Sequence, residues 1–109
     1  MNHLSRLKQL KILADLLRDR DLSRLRQAQD AKARTEHLLR ALDTVPASAG
    51  LTPAASAQVV ERFGLWTANR RVTLNQRHAR EMAAWLGARD DAKQAFGRSE
   101  VLDRLTHRK

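Results

Sequence analysis

The stretch LLRALDTVPASAGLTPAASAQVVERFGLW, residues 38–66, holds both prolines of the chain and its first glycine within a few positions of one another. Pro46 disfavours helical geometry at Val45, Gly50 tolerates a positive φ, and Ser48 and Thr52 compete locally for backbone hydrogen bonds. Thr52 followed by Pro53 is a restart signal, a hydroxyl N-cap with proline at the first helical position. One helix therefore stops near Leu42 and another starts near Pro53.

Upstream of this break, Leu4 to Leu42 contains neither Gly nor Pro and is dense in good helix formers, which predicts a single helix over about 4–42. Leu7, Leu10, Ala14 and Leu17 follow a 3,4,3 spacing. The stripe resumes after the polar Asp21 at Leu25, Ala28, Thr35, Leu39 or Leu38, and Leu42. The four-residue step from Asp21 to Leu25 reads as a stutter, a local unwinding of a coiled coil. Downstream, Val59 or Val60, Phe63, Trp66, Val72, Met82, Trp85, Leu86 and Phe96 lead to Leu102 and Leu105 without a proline, giving a second helix over about 53–105. Gly64, Gly87 and Gly97 each cost about 1 kcal/mol relative to Ala in a helix interior and are the places where bending is expected.

The predicted fold is all-α: two long antiparallel helices forming a coiled-coil hairpin, one domain over 1–109, with a turn at about 43–52. A tight turn puts Gly64 opposite Ala31, Ala68 opposite Ala28, and Trp85 opposite Leu10. Leu10, Leu17 and Trp85 then form a core far from the turn. The second arm is longer than the first, so residues from Ala95 to Lys109 have no partner in this register. Phe96, Val101, Leu102 and Leu105 form an apolar stripe there, flanked by Arg98, Arg104, Arg108 and Lys109. An unpartnered apolar stripe points to another molecule. Truncation after about Lys93 is accordingly expected to leave the hairpin folded.

Composition agrees with long, narrow helices. In 109 residues there are two Trp, two Phe and no Tyr, and 30% of the chain is charged. The absence of cysteine excludes a disulfide framework and a thiolate nucleophile, and fits a reducing cytosol. The basic, amphipathic start MNHLSRLKQLKILADLL lacks a continuous apolar region and does not read as a secretory signal. No span of about 20 apolar residues occurs, so no transmembrane segment is predicted. Membrane association would at most be peripheral.

Net charge is +9, with ten Lys/Arg against six Asp/Glu up to Val45 and eleven against six thereafter. The excess is spread through single arginines interleaved with acids, which favours a solvated basic surface over a dedicated phosphate site. His3, His37, His78 and His107 lie far apart without metal-ligand spacing to a carboxylate. There is no phosphate loop, no nucleophile elbow and no paired carboxylate set, so neither enzyme chemistry nor a cofactor is expected. Trp85 is assigned to the core and Trp66, beside the alanine-rich segment, to partner contact. Asn69-Arg70-Arg71 and Arg77-His78-Ala79-Arg80 are the densest basic clusters. The candidate partner-binding residues are Trp66, Arg70, Arg71, Phe96, Arg98, Val101, Leu102 and Leu105.

An opening such as LSRLKQLKILADLLRDRDLSRLRQAQDAKARTEHLLRALD, a Pro/Gly/Ser tip, and a Trp- and Arg-bearing return ending AFGRSEVLDRL resembles the FliJ/YscO-type stalk proteins of bacterial flagellar and type III export machines. The likeness covers most of the chain and rests on architecture. It implies a cytoplasmic, non-enzymatic coiled-coil stalk or adaptor, peripheral at the inner membrane, that contacts the export ATPase ring and the export gate. No individual functional residue carries over from that family. Two other readings stay open: a nucleic-acid-binding helical hairpin, and a coiled-coil adaptor that completes a helical bundle with another protein or a second copy of itself. The first predicts steeply salt-dependent binding and the second salt-tolerant assembly.

Overall fold

In a computed structural model, described over residues 3–44 and 50–107, the chain forms two antiparallel helices, α1 (His3–Ala41) and α2 (Pro53–Thr106). Both are α-helical throughout, α2 across Gly64, Gly87 and Gly97 included. The break reads as the sequence predicts where it is described. Gly50 has φ +82°. Thr52 caps α2: the Ala55 N–H donates to its Oγ1 at 3.1 Å, while the Ser56 N–H donates to its carbonyl at 2.8 Å. At the other end, α1 closes with three tight bonds, from the N–H groups of Leu42, Asp43 and Thr44 to the carbonyls of Leu39, Arg40 and Ala41. The expectations placed on Val45, Pro46 and Ser48 lie outside the described residues.

The chain divides into two compact units. Unit 1 comprises Met1–Asp30 with Ala83–Lys109, and unit 2 comprises Ala31–Met82. In unit 1 the seam of α1 is Lys11, Ala14, Arg18, Asp21, Leu25 and Ala28, and that of α2 is Trp85, Ala88, Ala92, Ala95, Ser99, Leu102 and Thr106; all are buried or half-buried. In unit 2 the seam is Lys32, Thr35, Leu39 and Leu42 against Arg71, Leu74, His78 and Glu81. Each set repeats every seven residues with alternating steps of three and four, the signature of coiled-coil packing. Among the described residues, Leu74 and Thr35 are the largest side chains that are fully buried.

Four sequence expectations are corrected here. First, the stutter is absent: Ala14, Asp21 and Ala28, and likewise Arg18, Leu25 and Lys32, keep a strict repeat of seven. Second, the register differs. The residue numbers of opposed pairs sum to 114 at Asp15–Ser99 and Lys11–Asp103 in unit 1, and at Glu36–His78 and Asp43–Arg71 in unit 2. Trp85 therefore lies against Leu25, Arg26 and Gln29, not against Leu10. Third, Leu10 and Leu17 are not core: each sits one position off the seam, Leu10 is 51% exposed, and the seam positions beside them belong to Lys11 and Arg18.

Fourth, the overhang is at the other end of α2. The segment from Ala95 to Thr106 packs on α1 within unit 1, with Ala95 and Ser99 buried. In unit 2, Ala41 at the end of α1 stands level with residue 73, so α2 from Pro53 to Val72 extends beyond it. The physical reason is shared by all four. An apolar stripe can slide by a turn at little cost, but cross-helix polar groups taken out of water must meet their partners. In this register Asp15 meets Ser99, Lys11 meets Asp103 and Glu36 meets His78.

Candidate functional site

In unit 1 the seam sets a cluster of polar side chains among small apolar ones, and leucines lie exposed on the flank. Ser99, 3% exposed, donates its hydroxyl to Asp15 Oδ1 at 2.5 Å and accepts from Arg18 Nη1 at 3.2 Å. Lys11 Nζ bonds both Asp15 oxygens at 3.0 Å and lies 3.6 Å from Asp103. The Ser99 hydrogen bond, reinforced by Lys11, holds the Asp15 carboxyl below its ordinary pKa. Asp21 is buried at the next seam position, with Arg20 Nε at 3.1 Å and Arg24 Nη1 at 3.8 Å from its carboxylate.

With charges occupying the seam, the leucines of α1 turn outward. Leu10, Leu13 and Leu17 line one side of an open groove of about 680 Å³, and Gly97, Val101 and Leu102 of α2 line the other. Leu13 is 53% exposed and Val101 54%, and no described residue covers them. Arg98 stands on the groove margin. The arrangement offers a shallow apolar trough with a cation on its edge, suited to receiving side chains from another helix.

The predicted stripe on α2 is thus split. Val101 lines the groove, Leu102 is half-buried between groove and seam, Leu105 lies one turn beyond Val101 and outside the groove lining, and Phe96, 50% exposed, lies on the opposite flank. The groove residues that sequence reasoning missed are Leu10, Leu13 and Leu17. Leu10 and Leu17 follow the helical spacing that assigns leucines to a core, Leu13 falls outside that stripe, and only the polar character of positions 11, 15 and 18 signals the reversal.

In unit 2 the two basic clusters also divide. Arg71 turns to α1 and pairs with Asp43 at 3.0 Å, and His78 Nε2 lies 3.2 Å from Glu36 Oε2. That contact, together with Lys32 at 3.5 Å, depresses the Glu36 pKa. Arg70 goes to the other flank, where it lines a groove of about 410 Å³ with Leu38, Ala41, Phe63, Trp66 and Leu74. Trp66 is 55% exposed, and its ring stacks at 6.0 Å on Phe63. Of the sequence-predicted residues, then, Trp66 and Arg70 come together in unit 2, and Arg98, Val101 and Leu102 in unit 1.

Among the described residues no three His, Cys, Asp or Glu side chains converge as a metal site, and no helix is long and apolar enough to cross a membrane. The class these features define is a two-helix antiparallel hairpin with polar seams and exposed apolar flanks. No protein-family model matches the chain, and neither a curated protein nor a solved structure matches it significantly.

Proposed function

We propose that this chain is a non-enzymatic coiled-coil stalk or adaptor of a flagellar or type III protein export apparatus, working on the cytoplasmic side and contacting the export ATPase ring and the export gate. The observation that carries a docking role is the reversed polarity of unit 1, with Lys11, Asp15, Arg18 and Ser99 inside and Leu10, Leu13 and Val101 outside. A two-helix pair with no ambition beyond its own stability would bury the leucines and leave the charges to water. The opposite arrangement suits a component whose leucines are completed by a partner. The export-machine assignment rests on the sequence resemblance, with which a hairpin of two long helices agrees.

The test is affinity purification of the tagged chain from its own cells, probing for the export ATPase and the gate protein. Both should co-purify with the wild type. Leu13→Glu with Val101→Glu should lose at least one of them while retaining the helix content of the wild type. Recovery of nucleic acid in place of these proteins, or an unaltered export phenotype on deletion of the gene, overturns the assignment. If the purified chain alone forms a stable oligomer that the double variant dissolves, the groove serves a second copy instead.

A further inference from the structure

Unit 2 carries a one-sided charge that the docking role of unit 1 leaves unused. Its acids are almost all engaged on or near the seam: Glu36 with Lys32 and His78, Asp43 with Arg71, and Glu81 with Arg77. Glu61, the remaining one, falls on the opposite flank of α2 from Trp66, five residues and therefore more than a quarter-turn away. Arg34, Arg70 and Arg80 are exposed and make no ion pair with a described residue. By the register of this unit Arg34 and Arg80 stand level with each other, since 34 and 80 also sum to 114. Arg70 follows ten residues along α2, about 15 Å away at 1.5 Å per residue. Between and beyond these arginines lies the apolar groove of Leu38, Phe63 and Trp66.

We propose that this flank of unit 2 is a second docking surface, which receives an acidic amphipathic helix from a protein partner. Carboxylates of that helix, spaced about three turns apart, meet Arg34 and Arg80 at one level and Arg70 at the other. Its apolar side chains enter the groove against Leu38, Phe63 and Trp66. Trp and Arg are the side chains that most often dominate binding energy at protein interfaces, and uncompensated arginines around an apolar floor are electrostatically complementary to this occupant. A single-stranded nucleic acid would need successive aromatic platforms to stack its bases. Here Phe63 is half-buried and stacked on Trp66, so one exposed ring is offered, and the apolar floor has nothing to give a phosphate. The proposal is independent of the export-machine assignment and of the unit 1 groove.

The experiment uses the full chain with Trp85→Phe, so that Trp66 is the sole indole, and an 18-residue synthetic helix with Leu at positions i, i+4, i+7 and i+11 and Glu on the flanks. Titration should shift the Trp66 emission to shorter wavelength. Raising salt from 0.05 to about 0.5 M should weaken the apparent affinity by tenfold or more, as expected of exposed charges. Arg70→Gln with Arg80→Gln should weaken it to a similar extent at unchanged helix content, whereas Leu13→Glu in unit 1 should leave it unaltered. A matched peptide with Lys in place of Glu should not bind. The proposal is overturned if the acidic peptide leaves the emission unchanged up to millimolar concentration. It is equally overturned if a 20-nucleotide oligothymidylate or phosphatidylglycerol vesicles bind at this face more tightly than the peptide, which would assign it to nucleic acid or to a membrane.

Discussion

Ser99 and Asp15 are 84 positions apart in sequence, and the hydroxyl of one donates to the carboxylate of the other at 2.5 Å across the seam of unit 1. Arg18 and Lys11 close the same cluster, so each of its polar side chains has a partner. A shift of α2 by one turn would set Asp15 beside Ala95 or Leu102. The leucines on the flank would lose little from such a slip, whereas the carboxylate would face an apolar side chain. The cluster is therefore a register device as much as a source of stability.

Acid should destabilise the protein below about pH 4. Asp15 and Glu36 both have folded-state pKa values below their ordinary ones, the first because of the Ser99 and Lys11 hydrogen bonds and the second because of His78 and Lys32. A depressed carboxylate contributes stability in full above its unfolded pKa of roughly 4, and that contribution disappears as pH falls through the folded value. Thermal melts at pH 6 and pH 3 should show a lower midpoint at pH 3. Ser99→Ala should reduce the difference between them. A steeper acid dependence in the variant would show that the hydrogen bond is not what lowers the Asp15 pKa.

Leu74→Ala should be the most damaging truncation of an apolar side chain. Leu74 is 1% exposed and is the largest fully buried side chain among the described residues, so removing it should cost about 2–4 kcal/mol. Leu17, half-buried on the groove edge, should cost far less. Chemical denaturation of the two variants side by side measures the order, and a larger loss at Leu17 would contradict the seam described here.

Thr35→Val should stabilise. The Thr35 side chain is completely buried, and its hydroxyl has no hydrogen-bond partner among the described residues. Valine keeps the shape and removes the unsatisfied group, for a gain of about 1 kcal/mol. A loss of stability would imply that the hydroxyl is bonded, for example by a water in the seam.

Gly87→Ala should also stabilise, by about 0.5–1 kcal/mol, because α2 is helical through this position and an added Cβ would meet nothing within 4 Å. The melting midpoint of the variant is the measurement. An unchanged or lower midpoint would mean that the backbone there departs from a regular helix in solution.

Truncation after Lys93 is now expected to destabilise unit 1 severely, since it removes Ala95, Ser99 and Leu102 from the seam. Circular dichroism of the shortened chain should show loss of helix beyond the residues deleted. Full retention would restore the overhang that the sequence suggested.

The two helices, their ends and the Thr52 cap were legible in the sequence because each depends on neighbours a few residues away. An unbroken run of helix formers, a Thr-Pro pair and a glycine with positive φ act locally, and the chain has little freedom to contradict them. Trp66 is exposed, as the sequence suggested, but for a different reason: it stands on the part of α2 that extends beyond the end of α1, not beside the alanine-rich segment. Register was not legible, and with it went the groove. Leu10 and Lys11 are adjacent, and choosing which of them enters the seam depends on whether Asp15, Ser99 and Asp103, distant in sequence, arrive at the same level. Counting apolar residues favours Leu10, whereas the structure turns Lys11 to the seam, where it bonds Asp15 and meets Asp103. Local chemistry thus determined that this chain makes two long helices, and the pairing of far-apart polar side chains decided which faces they turn to one another and which leucines and arginines they leave outside.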